Sequence, residues 1–173
     1  MAIRMEIKGL DAAIKNVSQV ASNVKKDVQG ELTAFGFDVE QRAKQRVASN
    51  SSDEGALLNS VSTKPGNLEV TVVAAIEYAA FIEFGTRKFA ESYVSSLPSE
   101  WKQYASQFRG KGGDGDFMTR LLGWMKRKGI DEALAYPIAR KIMTYGIKQK
   151  PFLYPSIQEA LPELNKRLKE ILK

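Results

Sequence analysis

The sequence predicts an α+β fold: a small antiparallel sheet packed against a long N-terminal helix, with several shorter C-terminal helices. Three observations carry this. Apolar residues recur every three or four positions from Leu10 to Val47. Two short alternating runs then flank the turn Lys64-Pro-Gly-Asn67. Beyond Pro98 the helical spacing returns and holds almost to the last residue. A helix period on either side of a strand period is the pattern of segregated helices and sheet.

In order along the chain, Ile3, Met5 and Ile7 alternate with Arg4 and Glu6, the period of a half-buried strand, and Gly9 closes it. From Leu10 the apolar positions are Ile14, Val17, Ala21, Val24, Val28, Leu32, Phe35, Val39, Ala43 and Val47, with Lys15, Lys25, Lys26, Glu40 and Arg46 opposite. This predicts one amphipathic helix to about Ala48, on the order of 55–60 Å long. Gly30 and Gly36 each cost it about 1 kcal/mol relative to alanine, so a bend or break is expected near them. So long and narrow a stripe needs an extended partner, either the chain's own sheet or a neighbouring subunit.

Residues 50–55 form a polar connection. Strands are expected over Leu57–Thr63 and Leu68–Ala74, joined by a Pro-Gly turn. A third is expected over Tyr78–Phe84, where Tyr78, Ala80, Ile82 and Phe84 face one way and Ala79, Phe81 and Glu83 the other. Both faces are largely apolar, so it should be covered on two sides, with Gly85 ending it. Leu97, Trp101, Tyr104 and Phe108 then predict a short helix from Pro98. Arg109–Asp116 has four glycines in eight residues and reads as a mobile loop. A helix over Phe117–Lys128 follows, with Asp116 as its cap, and Gly129 stops it. Asp131 caps another that runs to about Tyr145, which Pro137 either kinks or restarts. Pro151-Phe-Leu-Tyr-Pro155 reads as a stiff connector, and Ser156 with Glu159 as a capping box opening a last helix that Pro162 bends or restarts. The chain is expected to be a single domain over 1–173, with about 87–116 as a variable, partly mobile arm.

The 173 residues are 43% hydrophobic, enough for a core without staples. There is no cysteine, which excludes disulfides and thiolate zinc sites, and no histidine, which removes the commonest general base and metal ligand. Both absences tilt against catalysis. The N-terminus alternates charged and apolar residues, unlike a signal peptide, and no apolar run approaches the roughly 20 residues of a membrane span. Synthesis and folding in a cytoplasm, away from membranes, are expected. The net charge of +6 is local. Ten basic residues from Arg109 to Lys150 stand against Asp114, Asp116, Asp131 and Glu132.

No catalytic, metal or cofactor site is expected. The cluster Gly110-Lys-Gly-Gly-Asp-Gly115 lacks the Ser or Thr after lysine and the preceding strand of a phosphate loop. Asp114 and Asp116 lack the remaining ligands of a calcium loop. The pairs Glu77/Glu83 and Asp53/Glu54 have no spacing that would set them in a pocket. Glu83 stands among apolar residues, and a buried carboxylate needs a partner, so an ion pair with Lys or Arg is expected in preference to catalysis. Lys126, Arg127 and Lys128 beside Trp124, and Arg140-Lys141 near Tyr145, could meet phosphates. A solvated face is the commoner meaning of such runs. Failing that, an acidic protein partner is favoured over DNA, because +6 is modest for a nucleic-acid binder. Trp101, Tyr104 and Phe108 form a stripe suited to core or subunit contact.

Two motifs, Glu77-Tyr-Ala-Ala-Phe-Ile-Glu-Phe-Gly-Thr86 and Lys150-Pro-Phe-Leu-Tyr-Pro-Ser-Ile157, come after a long helix and a hairpin. With Ile138-Ala-Arg-Lys-Ile142 before the second, the chain from about Leu10 to its end resembles the tail-completion or head–tail joining proteins of tailed phages, the tail-component type of lambdoid siphophages. Tyr78, Glu83, Phe84, Gly85, Thr86, Pro151, Phe152 and Pro155 carry the resemblance. It implies a structural virion protein at the neck, without catalysis or cofactor, assembled in the host bacterium's cytoplasm. The implied partners are further copies in a ring, the connector or stopper, and the tail terminator or tube, with DNA only passing through. Phe84 would anchor a buried strand, and Gly85-Thr86 would turn the chain so that Arg87 and Lys88 launch the arm. The long helix and the Trp101 stripe are the candidate ring contacts, and the surface of Lys126, Arg127, Lys128 and Trp124 should face another protein. A small basic nucleic-acid-binding protein is the competing reading, and a carboxylate-dependent hydrolase the third.

Overall fold

A computed structural model describes residues 10–50, 55–76, 78–108 and 117–171, with the side chains of residues 10–18 and 50 excepted. Helix α1 (Leu10–Asn50) is continuous, as its apolar period requires. Then come α2 (Ala56–Ser60), β1 (Val61–Pro65), β2 (Val70–Ala74), α3 (Ala79–Phe84), α4 (Arg87–Ser95) and α5 (Ser99–Ser106). After the undescribed 109–116 follow α6 (Phe117–Arg127), a 3-10 turn (Glu132–Leu134), α7 (Ala135–Tyr145) and α8 (Leu153–Ile171). The α+β class is as expected: a long helix, a two-stranded antiparallel sheet and shorter C-terminal helices.

The inner half of α1 is the spine. Val39, Ala43 and Val47, four residues apart, are 0–2% exposed. They belong to a core with Leu57 of α2, Val61 of β1, Ala79 of α3 and Phe152. Burying a valine in this way contributes about 1.5–3 kcal/mol. α8 lies antiparallel to α1: Glu159 pairs with Arg46 and Arg42 near one end, and Arg167 reaches Glu31 near the other at 3.4 Å. Towards its N-terminal end α1 opens to solvent: Gln29 Oε1 still accepts from Leu68 N, while Gln19–Asn23 are exposed and Val20 is 61% accessible.

Gly36 leaves α1 unbroken and serves a different purpose. A Cβ there would sit 2.3 Å from Val70 Cγ2 and 2.7 Å from Thr63 Cγ2, so glycine lets the hairpin lie against the helix. Thr63 Oγ1 donates to Gly36 O at 2.9 Å across that contact. The strands pair from Val61↔Ala74 to Pro65↔Val70. The first expected strand is corrected in position: residues 56–60 are helical and the strand runs from Val61 to Pro65. The expected strand at Ile3–Ile7 lies outside the described residues.

Three cores are present among the described residues. Besides the main one, Phe84, Leu97 and Ala105 centre an aromatic cluster, and Leu121, Met125, Ala135 and Ala139 join α6 to α7. Gly129, at φ +65°, ends the stretch after α6. Asp131 then accepts from Ala133 N at 2.9 Å and caps the 3-10 turn, while Pro137 falls in the first turn of α7, where its missing N–H costs nothing.

Candidate functional site

Residues 78–86 and 146–155, some seventy positions apart, meet in one clasp. Its first part is helical, which corrects the third expected strand. Phe81 N and Ile82 N both bond Tyr78 O, and Gly85 N bonds Phe81 O at 3.0 Å. The turn of helix satisfies its backbone locally, and among the described residues β2 pairs with β1 alone. The two apolar faces are real: Ala79 and Ile82 meet the main core, while Ala80 and Phe84 meet the aromatic one.

Glu83, 4% exposed, points at the start of α8. One carboxylate oxygen accepts from Phe152 N at 2.7 Å and Leu153 N at 2.9 Å, and the other from Tyr154 N at 3.0 Å. Amides at a helix N-terminus have no partner within the helix and carry its positive end, so one buried carboxylate satisfies three donors. The expected Lys or Arg partner is therefore replaced by a helix terminus, with the Arg46 charge acting from farther away. Burial pushes the Glu83 carboxyl above the ordinary range, while the three amides and Arg46 pull the other way.

This cap also moves the start of the last helix. α8 begins at Leu153, so the Ser156–Glu159 capping box is not formed. Ser156 is fully buried inside the helix, donating to Phe152 O at 2.6 Å, and Glu159 is drawn to Arg46 and Arg42. Pro155 occupies the first turn, where proline is tolerated, and Phe152 is 2% exposed in the main core. Pro162 sits within the helix without ending it.

Gly85 (φ +74°) and Gly146 (φ +92°) cross at the other side of the clasp. A Cβ on Gly146 would lie 2.0 Å from Thr86 O, and one on Gly85 would lie 2.9 Å from Ile147 O. Both neighbours are backbone, so neither can yield. Thr86 N donates to Ile147 O at 3.0 Å, Ile147 N donates to Thr86 Oγ1 at 2.7 Å, and Lys150 N donates to Ile82 O at 2.8 Å.

Arg87 and Lys88 open helix α4, and α5 follows it, so 87–106 is largely helical where an arm was expected. Phe84 anchors these helices through Trp101 and Tyr104, both at 6.1 Å between ring centroids, and Phe108 at 6.4 Å. Trp101 also meets Tyr154 edge-on at 5.0 Å. Much of the Trp101 stripe is thus used internally, leaving Tyr104 49% exposed. Tyr78 is 38% exposed, and Pro151 is half-buried. Trp124 is half-buried against the α6–α7 core, while Lys126, Arg127 and Lys128 are exposed beside it. The glycine-rich 109–116, with Asp114 and Asp116, and Glu77 lie outside the described residues.

The clasp is built to hold. Both Glu83 oxygens are taken by amides, and the nearby Tyr93 phenol is pushed up to about 12, first by burial and then by Glu83 and Tyr154. Among the described residues no group of three acidic, His or Cys side chains could bind a metal, and no helix is long and apolar enough to cross a membrane. An open groove of about 380 Å³ runs along α1 beside Phe37, Gln41, Ala48 and Leu58. The sequence held one missed signal, a glycine directly after the α7 pattern at Gly146.

Residues 11–85 match the family model described as "Bacteriophage HK97-gp10, putative tail-component". The first motif lies inside the match up to Gly85, where the match ends beside the clasp's crossing; Thr86 and the second motif lie beyond it. No curated protein and no solved structure matches the chain. The resemblance read from the motifs is thus found independently over these residues, and it supports a structural role as a phage tail component.

Proposed function

We propose that this tail component works at the phage neck, completing the tail or joining it to the head connector. The observation that carries the reading is the clasp: the motif ending the family match and the second motif form one unit, with Glu83 capping α8. A fixed joint of this kind suits a scaffold, and the reading gives it neither a catalytic role nor a cofactor.

In this reading the protein assembles as a ring in the bacterial cytoplasm and becomes part of the virion. Its neighbours are the connector or stopper on one side and the tail terminator or tube on the other, with the genome passing and no membrane involved. Ring contacts are head-to-tail, so two different surfaces must match. The exposed Gln19–Asn23 stretch of α1 and the groove beside Phe37, which is 53% exposed, are the candidates.

Deleting the gene in the parent phage tests this. The expected result, by electron microscopy, is separate heads and tails or unfinished tails. Normal infectious particles would sink the proposal. The nucleic-acid reading is favoured by the exposed Lys126–Lys128, Arg140 and Lys141. A salt titration with duplex DNA separates the two, since tight binding with a steep salt slope belongs to the second reading alone.

A further inference from the structure

The chain between Thr86 and Ile147 is an excursion that leaves and returns at one point, because those two residues bond each other. Within it α6 and α7 form a hairpin with its own core, where Met125 is 0% and Ala139 4% exposed. α7 turns Ala135, Ile138, Ala139 and Ile142 inward. Its outer flank presents Tyr136, Arg140 and Met143, at the i, i+4, i+7 spacing of one helix face. Tyr136 is 74% and Met143 58% accessible, the former the most exposed large apolar side chain among the described residues.

We propose that the Tyr136–Arg140–Met143 flank of α7 docks onto an acidic patch of another virion protein. The proposal rests on the structural reading above and names the partner's chemistry. Tyr, Met and Arg are the side chains enriched at the centres of protein interfaces, where aromatic and Arg anchors carry most of the binding energy. The charge of the described 117–150 is predominantly positive. Lys141 lies next to Arg140 and is exposed with it, and Lys126 is exposed on α6. The acids of the described 117–150 are Asp131 and Glu132, and Asp131 is occupied in capping the turn. The matching surface is therefore apolar at its centre and acidic at its rim.

Two other occupants fit less well. Outside residues 109–150 this chain has equal numbers of basic and acidic residues, so a second copy offers no excess of negative charge to match. Duplex DNA would want cations at the centre of the contact, where this flank places a phenol ring and a thioether on either side of one guanidinium.

The test places a photo-crosslinking amino acid at position 136 (Tyr136→p-benzoylphenylalanine) in particles grown from the parent phage genome. The expected product joins position 136 to a different virion protein, next to Asp or Glu side chains. Introducing Arg140→Glu should reduce that product at least about tenfold. In parallel, the triple variant Tyr136→Ser, Arg140→Glu, Met143→Ser should lower infectious titre by at least about a hundredfold while melting within about 2 °C of the wild-type protein. Crosslinks only to another copy of this chain, crosslinks only to DNA, or no product at all would overturn the proposal, as would a product indifferent to Arg140→Glu. The gene deletion keeps the two ideas apart. Defective particles on deletion with a dispensable flank remove this proposal alone, whereas harmless deletion removes the neck reading itself.

Discussion

Replacing Glu83 by alanine probes the clasp most directly. The change strands Phe152 N, Leu153 N and Tyr154 N, which between them now take both carboxylate oxygens. A buried donor left without an acceptor costs about 1–3 kcal/mol. Phe152 is buried and pays in full, while Leu153 and Tyr154 are half-buried, so water replaces part of what they lose. Removing the carboxylate also relieves the desolvation that pushes its pKa up. The net expectation is a loss of about 3 kcal/mol, which for a chain of this size lowers the melting temperature by about 6–12 °C. Ser156→Ala is the control: it removes one hydroxyl from the same buried turn and should cost about 1 kcal/mol. Thermal denaturation followed by circular dichroism decides the matter. If Glu83→Ala melts within about 2 °C of wild type, or no lower than Ser156→Ala, the clasp does not hold the two segments together and the reasoning fails.

The remaining predictions use the same assay, with hydrogen exchange for the last. Burial raises the folded pKa of Glu83 above the unfolded carboxylate value of 4.5, so at a pH between the two values the folded chain binds more proton there than the unfolded chain. Its stabilisation is complete below the unfolded value and is lost as pH rises through the folded pKa, so the gap between wild type and Glu83→Ala should widen as pH falls towards 4.5; a narrowing gap would reverse the sign assigned to the shift. Gly146→Ala would push a Cβ to 2.0 Å from Thr86 O at a φ of +92°, and should cost at least about 3 kcal/mol or prevent folding. Gly30→Ala meets nothing within 4 Å and should stabilise α1 by about 1 kcal/mol; equal effects at the two glycines would contradict the crossing. Met125→Ala should cost about 2–5 kcal/mol, read as faster amide exchange in α6 and α7 with α1 and α8 still protected; uniform loss of protection would mean the hairpin has no separate core.

The parts of the fold legible in the sequence are those whose signal is long or local. α1 repeats its apolar spacing over ten turns, and β2 alternates beside a Pro-Gly turn. Tyr78–Phe84 misled because six or seven residues, apolar on both sides, fit a strand and a helix equally well; its two-sided burial was legible and its period was not. The start of α8 misled for a different reason. Ser156 and Glu159 have the spacing of a capping box, but the acceptor that caps this helix comes from Glu83, far upstream. Glu83's burial could be read from its neighbours, and its choice of amides over a cation could not. Gly36 was legible as a helix weakness, while its reason, the hairpin lying against α1, belongs to the tertiary structure.

The bond between Thr86 and Ile147 also bears on how such a chain can change. The entropy lost in tethering a flexible segment at both ends grows only with the logarithm of its length, so doubling the roughly 60 residues of the excursion would add about 0.6 kcal/mol. Length beyond that crossing is thermodynamically cheap, whereas the two glycines that permit it admit no side chain. Lineages of this fold are thus free to lengthen, shorten or replace what hangs from the crossing, provided the helix-capping carboxylate and the glycine pair remain.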